Sequence, residues 1–235
     1  MAEIRKSYGE GCLAAHALDL IGDRWALLVI RELMLGPKRF GAIRARIPGI
    51  ATNMLARRLD DLEKAGIVVH RDLPPPASVP VYDLTAEGHA LAPIMRELCR
   101  WAAGSPGHDH RLPISPTALM LSMQSMLRHD GGAAHEAGFA LDDERFLMTV
   151  ADGRADIRRI DAPAGRVHFT ATPNDMAVVV YGPEPLARTL GAGLVRVDGD
   201  ISAGQPFLDL FRLDRPALYP DRPLVPETAP EGETR

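Results

Sequence analysis

Between residues 38 and 71 the chain carries Lys38, Arg39, Arg44, Arg46, Arg57, Arg58, Lys64 and Arg71 against only Asp60, Asp61 and Glu63, a local balance of +5 within a net charge of −4. Cations at that density attract phosphate. A second chemistry is present in Asn53 and Arg57, because an Asn side chain can bond adenine with two hydrogen bonds and an Arg can do the same with guanine. Lys38, Arg39, His70 and Arg71 are candidate phosphate contacts. Thr52 either bonds a phosphate or caps a helix, and Arg58 either binds phosphate or pairs with a nearby carboxylate.

The surrounding pattern says what must position these groups. RFGAIRARI, a Pro48-Gly49-Ile50 turn and ATNMLARRLDDLEKAG read as two helices about a tight turn, followed by strands at Ile67–Arg71 and Val79–Leu84 joined by LPPPAS. That is a helix-turn-helix with a two-stranded wing, which fits a helix into the major groove of DNA. Projected at about 100° per residue from Leu55, Leu59 and Leu62 fall near +40° and −20°, while Asn53, Arg57, Asp60 and Lys64 fall between about 140° and 200°. The leucines are the expected buried seam and Asn53 and Arg57 the outward face; Arg58 lies on the flank, near −60°. Asp60 on the outward face argues that only the first two turns enter a groove.

Upstream, Leu13, Ala17, Leu20 and Ile21 form a short helical stripe. Asp23 is the expected cap of a second helix carrying Trp25, Leu28, Val29 and Leu33, and Gly36-Pro37 ends it. Phe40, Ile43 and Ile47 supply the apolar side of the third helix. Thr85 caps a long helix whose Leu91, Ile94, Met95, Leu98 and Trp101 make a stripe wider than one small winged domain needs to bury. Either a second copy covers it, giving a twofold dimer with recognition helices about 34 Å apart, or it packs on a second domain.

A chain of 235 residues leaves room for that second domain, and 46% hydrophobic with 25% charged residues is ordinary globular composition. No run of 18 apolar residues and no apolar signal core appears, which predicts a cytoplasmic protein without membrane partners. Two cysteines are too few for a disulfide framework. Charge is segregated: residues 1 to 105 hold 14 Lys and Arg against 12 Asp and Glu, and residues 106 to 235 hold 13 against 19. The small and polar run AAGSPGHDHRLP marks a boundary. The expected organisation is a DNA-binding and dimerisation domain over 1–104, a linker over 105–112, an α+β domain over 113–213 and a Pro-rich tail over 214–235.

The first of these resembles the HxlR family of bacterial winged-helix regulators, within the MarR-like group. The motifs that carry the resemblance, over residues 10 to 103, are CLAAHALDLIGDRWALLVIRELMLG, KRFGAI, IPGIATNMLARRLDDLEKAGIV, VYDLTAEGHAL and LCRWA. It implies a homodimeric DNA-binding regulator, read here as a repressor on a pseudo-palindromic operator. Ala51 departs from the family's usual Ser, leaving the cap of the recognition helix to Thr52 or weakened, and the wing tip lacks the usual Arg or Lys. Cys12 occupies the place of a cysteine that some members use to sense oxidants or electrophiles. Redox chemistry there needs a thiolate, which Arg5, Lys6 and His16 would favour if close; the alternative is a small buried hydrophobe, as Cys99 is expected to be.

From Pro113 the pattern changes to a helix (SPTALMLSMQSML), strand runs RFLMTVADG, ADIRRI and RVHFTAT with a turn at Asp152-Gly153, then MAVVVYG, PEPLARTLGAG, LVRVDGDI and GQPFLDLFRL. An α+β arrangement of sheet and helices follows. Residues 114 to 213 are similar to the sterol carrier protein 2 fold through the strand-DG-strand hairpin and YGPEPLARTLGAGLVRVDGD before a terminal LFRL helix. The resemblance implies an apolar tunnel for a hydrophobic small-molecule effector, with Leu119, Met120, Met123, Met126, Leu127, Phe207, Leu208, Leu210 and Phe211 as lining candidates; a helix stripe of this kind also reads as plain core. His108 and His110, with His135 farther on, invite a metal reading, but His-Asp-His in a proline-flanked linker reads as solvent-exposed, and no catalytic constellation or phosphate loop stands out, so no cofactor, metal or enzyme activity is expected. The competing reading is a lipid carrier that uses its winged helix only to dimerise.

Overall fold

The structure, a computed structural model, describes residues 7–105, 107–128 and 132–211. It divides into two compact units, the first formed by residues up to 99 together with 113–122, the second by 100–112 together with 123 onward. Residues 113–122 therefore pack with the N-terminal elements, although the composition shift places them after the boundary.

In the first unit α1 (Leu13–Ile21), α2 (Ala26–Leu33), α3 (Phe40–Ala45) and α4 (Thr52–Lys64) precede an antiparallel ribbon of β1 (Val68–Asp72) and β2 (Pro80–Leu84), paired from Val68↔Leu84 to Asp72↔Pro80. This is a winged helix-turn-helix. Val29, Ile30 and Leu33 of α2, Ile43 and Ile47 beside α3, and Leu55, Leu59 and Leu62 of α4 share one core with Ile67, Val68 and Leu84. Burying each of those leucines stabilises the fold by about 1.5–3 kcal/mol. Gly49 (φ +81°) and Gly66 (φ +70°) supply the left-handed residues that turn the chain into and out of α4.

Two expectations about helix ends change. Asp23 does not cap α2: Trp25, at φ +81°, occupies the cap position without a side-chain bond, and the Asp23 carboxylate is taken by Arg58. Thr85 does cap, accepting from the Gly88 amide at 3.1 Å while its hydroxyl donates to the Gly66 carbonyl at 2.6 Å. The helix it starts, α5 (Ala86–His89), is short, and α6 (Ala92–Ala103) begins anew. Pro93 explains the break, since it has no amide to give the His89 carbonyl.

The second unit holds a five-stranded sheet of β3 (His135–Leu141), β4 (Glu144–Ala151), β5 (Arg154–Arg159), β6 (Val167–Ala171) and β7 (Arg196–Gly199) in the order β5-β4-β3-β6-β7. Only β3 and β6 run parallel. Positive φ at Asp152 and Gly153 makes the two-residue hairpin between β4 and β5. α7 (Pro116–Ser125), which runs from the first unit into the second, α8 (Pro173–Tyr181), α9 (Leu186–Gly191), a 3-10 turn (Ile201–Ala203) and α10 (Gly204–Leu208) complete the described elements. The expected terminal LFRL helix is corrected: the helix ends at Leu208 and Phe211 instead forms a β-bridge with Leu127. The tail over 214–235 lies outside the described residues.

Candidate nucleic-acid interface

The seam of α4 holds as the projection requires, with Leu55, Leu59 and Leu62 buried and Thr52, Asn53, Arg57, Asp60 and Lys64 exposed. Ala51 is the cap residue and neither it nor Thr52 bonds the first amides. Thr52 is therefore not a cap. Lys64 closes on Asp60 at 2.6 Å one turn away, so the C-terminal half of the outward face is self-neutralised while Asn53 and Arg57 lie in the first two turns.

Arg58 needs a correction as a phosphate contact. It is buried, and its Nη1 donates to Asp23 at 2.7 Å and to Asp61 at 3.1 Å. Its position on the α4 flank, next to the leucine seam, turns it onto the loop after α1, so it fastens the recognition helix to the body. Arg58→Ala should cost about 1–2 kcal/mol of stability, the lower end for charged hydrogen bonds because Asp23 stays exposed. A melting midpoint unchanged from wild type would count against this role.

Lys38 needs the larger correction. Only 4% exposed, it sends Nζ to Glu32 Oε2 at 3.0 Å and to Thr117 Oγ1 at 2.9 Å. A cation so enclosed touches no phosphate. Its backbone bonds Tyr82 in both directions, at 3.0 and 2.9 Å, adding a third edge to the wing, and the chain then leads through Arg39, exposed at the cap position of α3.

At the wing base His70 stacks on Tyr82 with ring centroids 4.6 Å apart, and Arg71 pairs with Asp83 at 2.6 Å. Burial, then the Glu63 charge, pushes the Tyr82 hydroxyl pKa up. Both His70 and Arg71 are exposed, but Arg71 already has one carboxylate beside it.

Cys12 is exposed at the cap position of α1. Its thiol pKa is held below the usual value by the backbone amides of Ala15 and Ala14 at the helix start. Helix geometry supplies this effect, where the sequence suggested basic side chains; Arg5 and Lys6 lie outside the described residues. Cys99 is half-buried.

The division into units runs through the set of apolar residues suggested for a ligand tunnel, within α7. Leu119 and Met120 are buried in residues belonging to the first unit, while Met123, Met126, Leu127, Phe207, Leu208, Leu210 and Phe211 belong to the second. There Phe207 packs against Phe211, Phe139 and Phe169 at centroid distances of 5.3, 5.9 and 6.3 Å. Phe139 and Phe169, which the sequence reading did not single out, lie on β3 and β6 and make this a four-ring core. Among the described residues no three His, Cys, Asp or Glu side chains group as metal ligands, and no helix is long and apolar enough to cross a membrane.

The family described as HxlR-like helix-turn-helix matches residues 20–109. The HTH-type transcriptional regulator YvaP of Bacillus subtilis is 41% identical over 87 residues, which are 80% of YvaP and 37% of this chain. The chain belongs to the HxlR-like family. The HTH-type transcriptional regulator YodB of the same bacterium is 44% identical over 86 residues, 77% of its length and 37% of this chain. The solved reduced form of YodB is 40% identical and covers 42% of this chain and 100% of its own, with a TM-score of 0.37. The HxlR-like match stops at 109, so the five-stranded sheet lies beyond it.

Proposed function

We propose that the chain is a homodimeric transcriptional regulator that reads a pseudo-palindromic operator with Asn53 and Arg57 in the major groove and uses Arg39, Thr52, His70 and Arg71 on the flanking phosphates. The observation that carries this reading is the exposed Asn53–Arg57 face of α4, backed by three buried leucines, in a chain of the HxlR-like family. Dimerisation is supported by apolar residues left uncovered: Leu13 is 86% exposed, Trp101 75%, and Leu18, Ile94 and Leu98 are exposed as well. Such a protein works in the cytoplasm.

Sequencing genomic DNA captured by the purified protein tests the reading, with native mass spectrometry of the same sample for subunit number and copurified ligand. Arg57→Ala should lose roughly 1–3 kcal/mol on the captured site with little change in stability. Equal binding by wild type and variant would place recognition on another face. Recovery of no DNA, with a bound lipid present, would favour the carrier reading.

The order β5-β4-β3-β6-β7, with one parallel pair at its centre, supports a sterol carrier protein 2-like second unit. An apolar effector acting there would have to favour one state of the recognition helices over the other, because equal affinity for both shifts nothing.

A thiol-sensing role for Cys12 is supported by its exposure and lowered pKa. A lowered pKa means more thiolate at a given pH. Cys12 should therefore be alkylated by iodoacetamide at neutral pH faster than a free peptide cysteine, and its rate–pH profile should turn over at lower pH. Mass mapping showing a peptide-like profile would remove the redox reading.

A further inference from the structure

Residues 113–122 lie past the end of the HxlR-like match, yet they are packed inside the unit that holds the helix-turn-helix. Two of their hydroxyls enter a buried ionic cluster. Ser115 Oγ donates to Glu32 Oε1 at 2.6 Å, and Thr117 Oγ1 meets Lys38 Nζ at 2.9 Å. Glu32 also receives Arg31 through Nε at 3.0 Å and Nη2 at 2.9 Å, and Lys38 at 3.0 Å. Glu32, Lys38, Ser115 and Thr117 are all buried. In such a setting every polar partner matters, since an acceptor or ammonium left short of partners is costly away from water.

Lys38 connects the cluster to the wing and to α3. The side chain of Lys38 is held by Glu32 and Thr117, its backbone is paired both ways with Tyr82 of β2, and the next residue, Arg39, starts α3. Whatever fixes Lys38 fixes the wing against the start of α3. We propose that Ser115 and Thr117 are positioning residues for DNA reading: their hydroxyls hold the Glu32–Lys38 pair in one geometry, and Lys38 passes that geometry to the wing and to α3. The DNA-reading head of this chain is thus completed by residues past the end of the HxlR-like match, and α7, which carries Thr117, continues to Ser125.

The inference rests on the proposed DNA binding, and the test separates the two. Full-length wild type, Thr117→Val, Thr117→Ser and Ser115→Ala are compared on the captured operator fragment at a temperature where circular dichroism shows each folded. Amide resonances of residues 39–43 and 79–84 are recorded without DNA. Thr117→Val should weaken operator binding roughly 2- to 30-fold, the range of packed-network substitutions that touch no ligand. It should also move the amides of Arg39 and of Val81 to Asp83. Thr117→Ser, which keeps the hydroxyl, should restore both. Should Thr117→Val not fold, Ser115→Ala carries the same readouts. Wild-type affinity and unmoved wing amides in the variants, or failure of Thr117→Ser to restore them, overturns the inference. Failure of the wild type to bind any DNA fragment overturns the regulator reading instead, and the amide shifts still decide the role of the hydroxyls.

Discussion

Lys38→Met should lower the stability of the first unit by about 1–3 kcal/mol, the cost of leaving a buried carboxylate short of one charged partner while Arg31 still pairs with it. The carboxylate left short is Glu32, whose side chain is fully enclosed and which keeps Arg31 and Ser115 as donors. The companion variant makes the argument specific. Glu32→Leu with Lys38→Met removes both charges, and such paired replacements by apolar groups are often neutral or stabilising, so most of the loss should return. Because the chain has two units, a single unfolding transition is not assumed. Trp25 lies in the first unit and Trp101 in the second, so urea titrations in a Trp101→Phe background report the first unit alone. A loss under about 1 kcal/mol, together with weakened DNA binding, would return Lys38 to the surface as a phosphate contact.

Operator affinity should fall about 10³- to 10⁵-fold between 50 and 200 mM salt if the dimer neutralises roughly six to ten phosphates. The net charge of −4 does not argue against this, because residues 38 to 71 alone carry +5. At about 0.1 M salt, charges more than ~10 Å from the interface are largely screened. Arg57→Ala should reduce the slope of log affinity against log salt by about one unit if Arg57 also meets a phosphate, and leave it unchanged if it reads a base edge alone. A nearly flat salt response of the wild type would mean that the basic stretch does not face DNA.

What could be read in advance follows from how local its cause is. The α4 seam was legible because a leucine spacing needs only its own helix, and the Asp152-Gly153 hairpin because a two-residue turn carries its own signal. Pro93 was a legible helix break that the apolar stripe from Leu91 to Trp101 masked. Lys38 was not legible. Within a basic run after Gly36-Pro37 it reads as surface, and its burial depends on Glu32 six residues back and Thr117 seventy-nine residues on. Arg58 stood between two readings until Asp23, thirty-five residues away, settled which carboxylate takes it. Strand β3, the middle of the five, was overlooked because HEAGFAL has no β-branched residue. Its Gly138 serves close packing, since a Cβ there would collide with the Ala164 carbonyl. A lowered pKa at Cys12 was one of two readings and was tied to charged neighbours, whereas the helix amides cause it.

The Ser115 and Thr117 hydroxyls set a limit on where this molecule can be cut. A fragment trimmed at the last family-matched residue, 109, keeps α1 to α6 but uncovers a carboxylate and an ammonium that no longer have their lids. Grafting this head onto another sensor, or exchanging its own C-terminal unit, calls for a junction beyond residue 122, within or after a helix, and not in the polar run that looks like the natural seam.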